Sequence, residues 1–230
     1  MTLKVVGAKI STFTRTIRLA LEYLNIPYEL LETLPHTETA YKYNAFGKIP
    51  TLIDGDVKLI ETLAMKRYID HLQQGNQTQG QSLTPNTLNE QLFVDQWISI
   101  AGDYAFRELI IAVSKPRQSM ESQGKSETEI TNNLESQLER ARVVLGAIES
   151  HLASSASVGK SWLCGSSITW ADLFMFPIFA DLASLPEREL IKFESPHLWK
   201  WFERFSDTDI AKQTFEGTVA DSRSKQQSKM

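Results

Sequence analysis

The residues best suited to chemistry fall in one block. Asn44-Ala-Phe-Gly-Lys-Ile-Pro50 is followed, eleven residues after the proline, by Glu61-Thr62. Between them, two apolar runs flank Asp54-Gly-Asp56, a strong hairpin signal. A proline at the start of a strand removes a ladder donor. Two readings of it are open. A cis Ile49–Pro50 bond would turn the chain and expose the Ile49 amide and carbonyl to a short extended ligand; the other reading is a plain turn before an edge strand. Glu61-Thr62 stands where a strand gives way to a helix. With Thr62 as N-cap, the first-turn amides attract a carboxylate, and Glu61 attracts an ammonium. An α-amino acid end carries both charges on one carbon. The plainer reading is a capped helix with a solvated glutamate. Lys48 offers a cation at the far end of such a ligand, although an exposed lysine alone carries no information.

Ser11-Thr-Phe-Thr-Arg-Thr-Ile-Arg18 spans the first strand-to-helix loop, where hydroxyls and free amides crowd beside a helix start. A thiolate is stabilised in that setting by donors and by the positive end of the helix dipole. Lowering a thiol by two pH units from about 8.5 needs about 2.7 kcal/mol, which one hydroxyl and nearby dipoles can supply. The alternative is ordinary capping by Ser11 or Thr12. No Gly-x-Ser-x-Gly elbow surrounds Ser11, so a hydrolase nucleophile is not indicated.

The elements that must position these residues follow from periodicity. Leu3–Lys9 reads as a buried strand and Phe13–Leu24 as a helix with Ile17, Ala20, Leu21 and Leu24 on one face. Asn25-Ile-Pro27 stops that helix, and Tyr28–Glu32 returns as a strand, so β-α-β with parallel pairing is expected. Residues 35–47 hold no clear period. Thr51–Ile53 and Val57–Ile60 form the hairpin, and Thr62–Gln73 closes the unit as a helix. Gln73–Thr84 has almost nothing to bury and reads as a linker. Thr87-Leu-Asn-Glu90 is a capping box opening a long helix to about Val113. Lys115–Ser126 breaks the pattern. From Ile130 to Leu152 the apolar residues recur at spacings 4, 4, 3, 4, 3, 4, one buried stripe on a helix over Glu127–Leu152. Ser154–Lys160 reads as a loop, Thr169-Trp-Ala-Asp172 and Ser195-Pro196 as helix starts, and 217–230 as a disordered tail. The expected organisation is an α/β domain over 1–75, a linker over 76–86, an all-helical domain over 87–216 and the tail.

Composition narrows the function. The net charge of -4 gives no basic face for nucleic acid, and the single cysteine, Cys164, cannot form an internal disulfide. His36, His71, His151 and His197 have no metal-ligand spacing. No apolar stretch reaches membrane-spanning length, and the chain opens on a strand rather than a leader, so a cytoplasmic protein with no metal and no membrane partner is expected. Ser228-Lys-Met230 is similar to a peroxisomal Ser-Lys-Leu address, with chance in a polar tail as the alternative.

Four stretches together resemble the cytosolic glutathione transferases: Ser11–Tyr28, Asn44–Leu52, Glu61-Thr-Leu-Ala64 and Thr169-Trp-Ala-Asp172. They lie in the right order in both domains, and the look is of serine-type classes, nearest to fungal and plant-like members. The resemblance implies a thioredoxin-like domain (β-α-β-α-β-β-α) followed by an all-α domain. It implies glutathione as co-substrate, without metal or nucleotide, in a detoxifying homodimer. Ser11 matches the hydroxyl donor to the glutathione thiolate, with Phe13 beside it in the binding set. Lys48 matches a residue near the glycine carboxylate, and His36 is the candidate for the basic residue after the second strand. Ile49 matches the residue whose backbone pairs with the cysteinyl group, ahead of a cis Pro50. Glu61 and Thr62 match the pair that holds the γ-glutamyl end, and Thr169 with Asp172 a capping box for folding. Thr12 stands where many relatives carry proline, which leaves Thr12 and Thr14 open as rival donors. The lack of a cysteine near residue 11 argues against members that reduce mixed disulfides, and Cys164 reads as a small buried hydrophobe.

The implied reaction joins the glutathione thiolate to small hydrophobic electrophiles held between the domains. Trp97, Tyr104, Phe106 and Arg107 lie on the first long helix of the helical domain; Tyr104 and Arg107 are candidates for lining that place, and an aromatic core is at least as good a reading of the set. The alternatives are peroxidase action on organic hydroperoxides and a non-catalytic glutathione-binding regulator.

Overall fold

The computed structural model describes residues 2–75 and 82–227. Two compact units emerge, one made of residues 1–85 with 206–230 and the other of residues 86–205. The C-terminal stretch therefore belongs with the first unit, whereas the sequence placed its residues up to 216 in the helical domain. Ser228-Lys-Met230 and residues 76–81 of the expected linker lie outside the described residues.

The first unit has the expected β-α-β-α-β-β-α order: β1 (Leu3–Gly7), α1 (Thr12–Tyr23), β2 (Tyr28–Glu32), α2 (Glu38–Tyr43), β3 (Thr51–Asp54), β4 (Val57–Leu59) and α3 (Thr62–Gly75). The sheet order is β2-β1-β3-β4, with β1 parallel to β2 and the other neighbours antiparallel. This is the thioredoxin-like arrangement. Helix α2 lacks an amphipathic stripe because it is short. It forms on local chemistry instead, since the Thr37 hydroxyl accepts from the Ala40 amide at 3.2 Å and Glu38 sits in the first turn. Apolar residues of β1, α1, β3 and α3 (Val5, Ile17, Leu21, Leu52, Met65, Ile69) are fully buried, each worth about 1.5–3 kcal/mol.

The helical unit starts with α4 (Leu88–Ile100), capped by Thr87. The helix continues without a break as a π-helical segment, Ala101–Ser114, and then as α5 (Lys115–Ser122). The Lys115 amide reaches back five residues to the Ile110 carbonyl. The polar stretch after Val113 was expected to end the helix, but it stays helical because its charges are used internally. Arg117, 1 % exposed, donates to Glu187 at 2.6 Å, Glu121 at 3.1 Å and Glu127 at 2.5 Å. Such a guanidinium can be buried only because carboxylates satisfy it.

Helix α6 (Glu127–Ser157) carries the buried stripe read from the sequence, with Leu138 only partly covered. It opens on a capping box of Ser126 and Glu129 and runs through Ser154–Ser157, where a loop was expected. The hydroxyls of Ser154 and Ser157 donate back to carbonyls of their own helix, and Ser155 is buried. Helix α7 (Trp170–Ala183) is buried almost throughout, and the π segment and α4 pack on it. The Asp172 carboxylate accepts from the Thr169 amide and hydroxyl, the Leu163 amide and Trp201 Nε1, all at 2.8–3.0 Å. Helices α8 (Arg188–Glu194) and α9 (Pro196–Ser206) complete the bundle.

Two short helices, α10 (Asp209–Gln213) and α11 (Val219–Gln227), follow. The expectation of a disordered tail fails over 219–227. There Asp221 accepts from the Gly217 amide at 2.8 Å and from Lys225 at 2.7 Å, while the Thr218 hydroxyl accepts from the Asp221 amide. These local bonds organise a segment with few apolar residues. Among the described residues no helix is long and apolar enough to cross a membrane.

Candidate functional site

Strand register brings the sequence-selected residues to one end of the sheet. Gly7, the last residue of β1, pairs with Glu32, the last of β2, and Val6 pairs with Thr51, the first of β3. Leu52 pairs with Leu59 at the end of β4. The loops leaving this end carry Ser11 after β1, His36 after β2, Ile49-Pro50 before β3 and Glu61-Thr62 after β4. Four separate loops thus converge because three strands point one way and β3 the other.

Ser11 is the N-cap of α1, with extended backbone. Its Oγ accepts from the Thr14 amide at 3.4 Å, its amide donates to the Ala8 carbonyl at 3.0 Å, and its carbonyl accepts from Arg15 at 2.9 Å. The cap uses a lone pair and leaves the hydroxyl proton free to donate. Ser11 is half-buried, whereas the rival hydroxyls of Thr12 and Thr14 are buried, Thr14 at 0 % exposure. Thr14 Oγ1 has no hydrogen-bond partner among the described residues. Burial takes Thr14 away from any ligand on the surface and leaves Ser11 as the accessible donor of the three. Phe13 is half-buried on the same first turn.

The Ile49–Pro50 bond is cis, as one of the two sequence readings had it. Pro50 is buried and Ile49 half-buried. The turn before them is organised by Asn44, which opens the motif but has no role implied by it. Its Oδ1 accepts from the Phe46 amide at 2.9 Å, its Nδ2 donates to the Lys48 carbonyl at 2.9 Å, and its own carbonyl accepts from the Gly47 amide at 2.8 Å. The available signal was an asparagine opening a turn, where such side chains bond to nearby backbone. Gly47 has φ +63, and a Cβ there would lie 2.6 Å from the Tyr41 ring, so only glycine fits. The Lys48 side chain is exposed.

His36 is exposed with φ +61. Its amide donates to the Gly47 carbonyl at 2.7 Å, and Nδ1 lies 3.3 Å from the Tyr41 hydroxyl. The β2 loop and the Lys48 turn are thereby tied together, a link the sequence did not announce.

One expectation is corrected at the fourth loop. Thr62 was read as the N-cap of α3, but it is the first helical residue. The cap position belongs to Glu61, whose carbonyl accepts from Ala64 at 3.1 Å and Met65 at 3.2 Å. Glu61 adopts φ +69, a left-handed conformation that costs a side chain about 1–2 kcal/mol. A strained glutamate at a helix start, with no cap chemistry of its own, is a frequent mark of a binding residue. The Thr62 and Leu63 amides at this turn face the same end of the helix.

In the helical unit, Trp97 is buried with its ring centroid 4.4 Å from that of His151, so it serves the core. Tyr104 and Arg107 are exposed on the π segment, and Phe106 is half-buried. Cys164 is half-buried rather than fully buried. Burial, with the Asp172 carboxylate adding, pushes its thiol up to about 12. Among the described residues no group of His, Cys, Asp and Glu could hold a metal ion.

Comparison with known proteins places this arrangement. The description "Glutathione S-transferase, N-terminal domain" matches residues 5–77 and "Glutathione S-transferase, C-terminal domain" matches residues 103–209. Glutathione S-transferase F7 of Arabidopsis thaliana is 25% identical over 220 residues, covering 91% of this chain and 97% of that protein. Glutathione S-transferase F12 of the same plant is 29% identical over 167 residues, covering 70% and 71%. Among solved structures, glutathione transferase F7 from Populus trichocarpa superposes with a TM-score of 0.79 at 24% identity, covering 94% of this chain and 99% of that one. A Tau class glutathione S-transferase from mango, Mangifera indica, gives 0.76 at 22%, covering 99% and 97%. These relatives are plant proteins, and the expected fungal affinity draws no support from them. With family descriptions matched in both halves, the chain belongs to the glutathione S-transferase family and is an enzyme of that family.

Proposed function

We propose that the enzyme joins the thiolate of reduced glutathione to small hydrophobic electrophiles, with Ser11 as the thiolate donor. The observation that carries this reading is the convergence of Ser11, Ile49-Pro50 and Glu61-Thr62 at one end of the sheet. An extended γ-linked tripeptide has a charged amino acid at one end, a backbone in the middle and a carboxylate at the other. Glu61 takes the ammonium and Thr62 the carboxylate of the γ-glutamyl group. The Ile49 N–H and C=O, which no hydrogen bond among the described residues engages, pair with the cysteinyl backbone. Lys48 and His36 serve the glycine carboxylate, and Phe13 packs beside the sulfur.

The cysteinyl sulfur then lies at the start of α1. The Ser11 O–H donates to it, and the first-turn amides of α1 add positive potential. The thiol proton leaves to solvent. The thiolate attacks the electrophilic carbon, a C–S bond forms, and the leaving group departs with the bonding pair. The protein contributes proximity and a stabilised thiolate. The homodimer implied by the family resemblance is part of this proposal.

Calorimetry with reduced glutathione, followed by initial rates with a chloro-dinitrobenzene for the native enzyme and Ser11→Ala, tests the reading. Uptake of glutathione and a large fall in rate support it. No uptake by the folded protein refutes it, and a cumene hydroperoxide rate above the aryl-halide rate would move the chemistry to peroxide reduction.

A further inference from the structure

We propose that the segment from Thr208 to Asp221 is a working part of the thiolate site, a brace that holds the β1–α1 loop on both sides of Ser11. The proposal rests on the assignment of Ser11 made above. Its evidence is a set of contacts within the first unit, between residues about 200 positions apart in sequence.

On the helix side, Arg15 stands one turn after Ser11, and its amide donates to the Ser11 carbonyl. Its side chain does not reach towards solvent and is 3 % exposed. Nε donates to Thr214 Oγ1 at 3.3 Å and Nη2 to the Ala211 carbonyl at 3.2 Å, both at the C-terminal end of α10. Arginine satisfying the last carbonyls of a helix is a recurrent end device. The Thr214 hydroxyl donates its own proton to the Ile210 carbonyl at 2.8 Å, which leaves its lone pair for Arg15. Ile210 and Ala211 are buried, and α10 packs on α1.

On the strand side, Lys9 lies two residues before Ser11. Its aliphatic stem covers Gly217, where an added Cβ would come within 2.8 Å of Lys9 Cβ and Cδ. Gly217 has φ +78, so both space and backbone demand glycine. Its amide donates to Asp221, which fixes the turn. The Lys9–Glu216 ion pair at 3.5 Å is largely exposed and adds little; the packing of the stem is the stronger contact.

Between these two anchors the Ser11 hydroxyl is only loosely held, since its cap bond is 3.4 Å long. A donor must stay within about 0.5 Å of its productive position to stabilise a developing or resting anion. The loop's own bonds hold the Ser11 backbone, and the brace is assigned the rest of that precision. Nothing in motif reading pointed here, because the motif carries Arg15 and the brace carries Thr214 and Gly217.

The experiment uses the full chain with Thr214→Val and Gly217→Ala, singly and combined; neither residue touches the assigned ligand. Amide hydrogen exchange at residues 8–15 reads the brace independently of glutathione. Exchange about tenfold faster in the variants is expected. The pH midpoint of kcat should rise by about one unit, so that kcat falls about fivefold at pH 6.5 and recovers at pH 9, with KM for glutathione within twofold. Variants with a lower Tm but unchanged loop exchange and an unchanged pH midpoint would overturn the proposal and leave the segment purely structural. If the native enzyme takes up no glutathione, the assignment of Ser11 falls, and the thiolate role of the brace falls with it.

Discussion

Val6 and Thr51 face each other in the antiparallel β1–β3 ladder. That pairing sets Pro50 beside the end of β1 from which Ser11 emerges. A slip of one residue would turn every β3 side chain to the opposite face and bury the wrong set. Leu52 is fully buried in the observed register, which fixes it. The register of the strands that carry these loops is thus set by core packing.

Ser11→Ala removes a cap and, on the proposed assignment, the thiolate donor. The loss of the cap should lower stability by about 1 kcal/mol. The loss of the donor should lower conjugation about ten- to hundredfold and move the pH midpoint of kcat upward, because the thiolate loses a group that favoured its charged form. Ser11→Thr should retain most of both. Thermal unfolding and initial rates with a chloro-dinitrobenzene across pH check the pair. Full turnover in the alanine variant would transfer the role to a backbone amide.

Glu61→Gly should act in opposite directions on stability and binding. Glycine accepts φ +69 without the side-chain penalty, so stability is expected to hold or to rise by up to about 1 kcal/mol. The lost carboxylate should raise KM for glutathione at least tenfold. A melting curve and a saturation series on the same preparation separate the effects. A parallel fall in both would mean that the glutamate is structural.

Asp172→Ala should be among the most damaging single changes in the helical unit. It leaves the Thr169 and Leu163 amides and Trp201 Nε1 buried without their acceptor, which costs about 2–4 kcal/mol in sum. Urea unfolding should show a lower midpoint at constant slope. Asp172→Asn should recover little, since its NH2 group meets donors where the carboxylate met them with oxygen.

Cys164 should be a slow thiol in the native protein. Burial, reinforced by the Asp172 carboxylate, pushes it up to about 12. A free cysteine ionises near 8.5, so the native thiolate fraction at pH 8 is lower by about three orders of magnitude. Reaction with an aromatic disulfide at pH 8 should be more than a hundredfold slower in the native state than in urea, and should accelerate as pH rises. The linkage has a definite sign: the folded state keeps its proton longer, so stability present below about 8.5 is lost as pH rises towards about 12. Equal labelling rates in native and unfolded protein would contradict the burial.

Much of this fold was legible because its signals are local. The period of α6 and the Asp54-Gly-Asp56 turn are short-range patterns with one stable solution each. The polar run after Val113 misled, because the acceptors that let Arg117 continue the helix lie as far away as Glu187. The stretch from Ser154 misled for a smaller reason: a run of small residues reads as loop by composition, yet the hydroxyls of Ser154 and Ser157 bond back into a helix already under way. At the site, Glu61 displaced Thr62 from the cap position because tertiary structure imposed a left-handed backbone that propensity disfavours.

By itself the sequence determined the residue types that the chemistry requires, their order, and the secondary elements that carry them, since hydrophobic period and turn chemistry act over a few residues. The tertiary structure alone decided which hydroxyl of Ser11, Thr12 and Thr14 stays accessible, that Asn44 and Tyr41 organise the loops after β2 and before β3, and that Arg15 reaches across to α10. Each of these depends on burial or on a hydrogen bond between distant segments, and such a partner exists only once the chain has closed on itself.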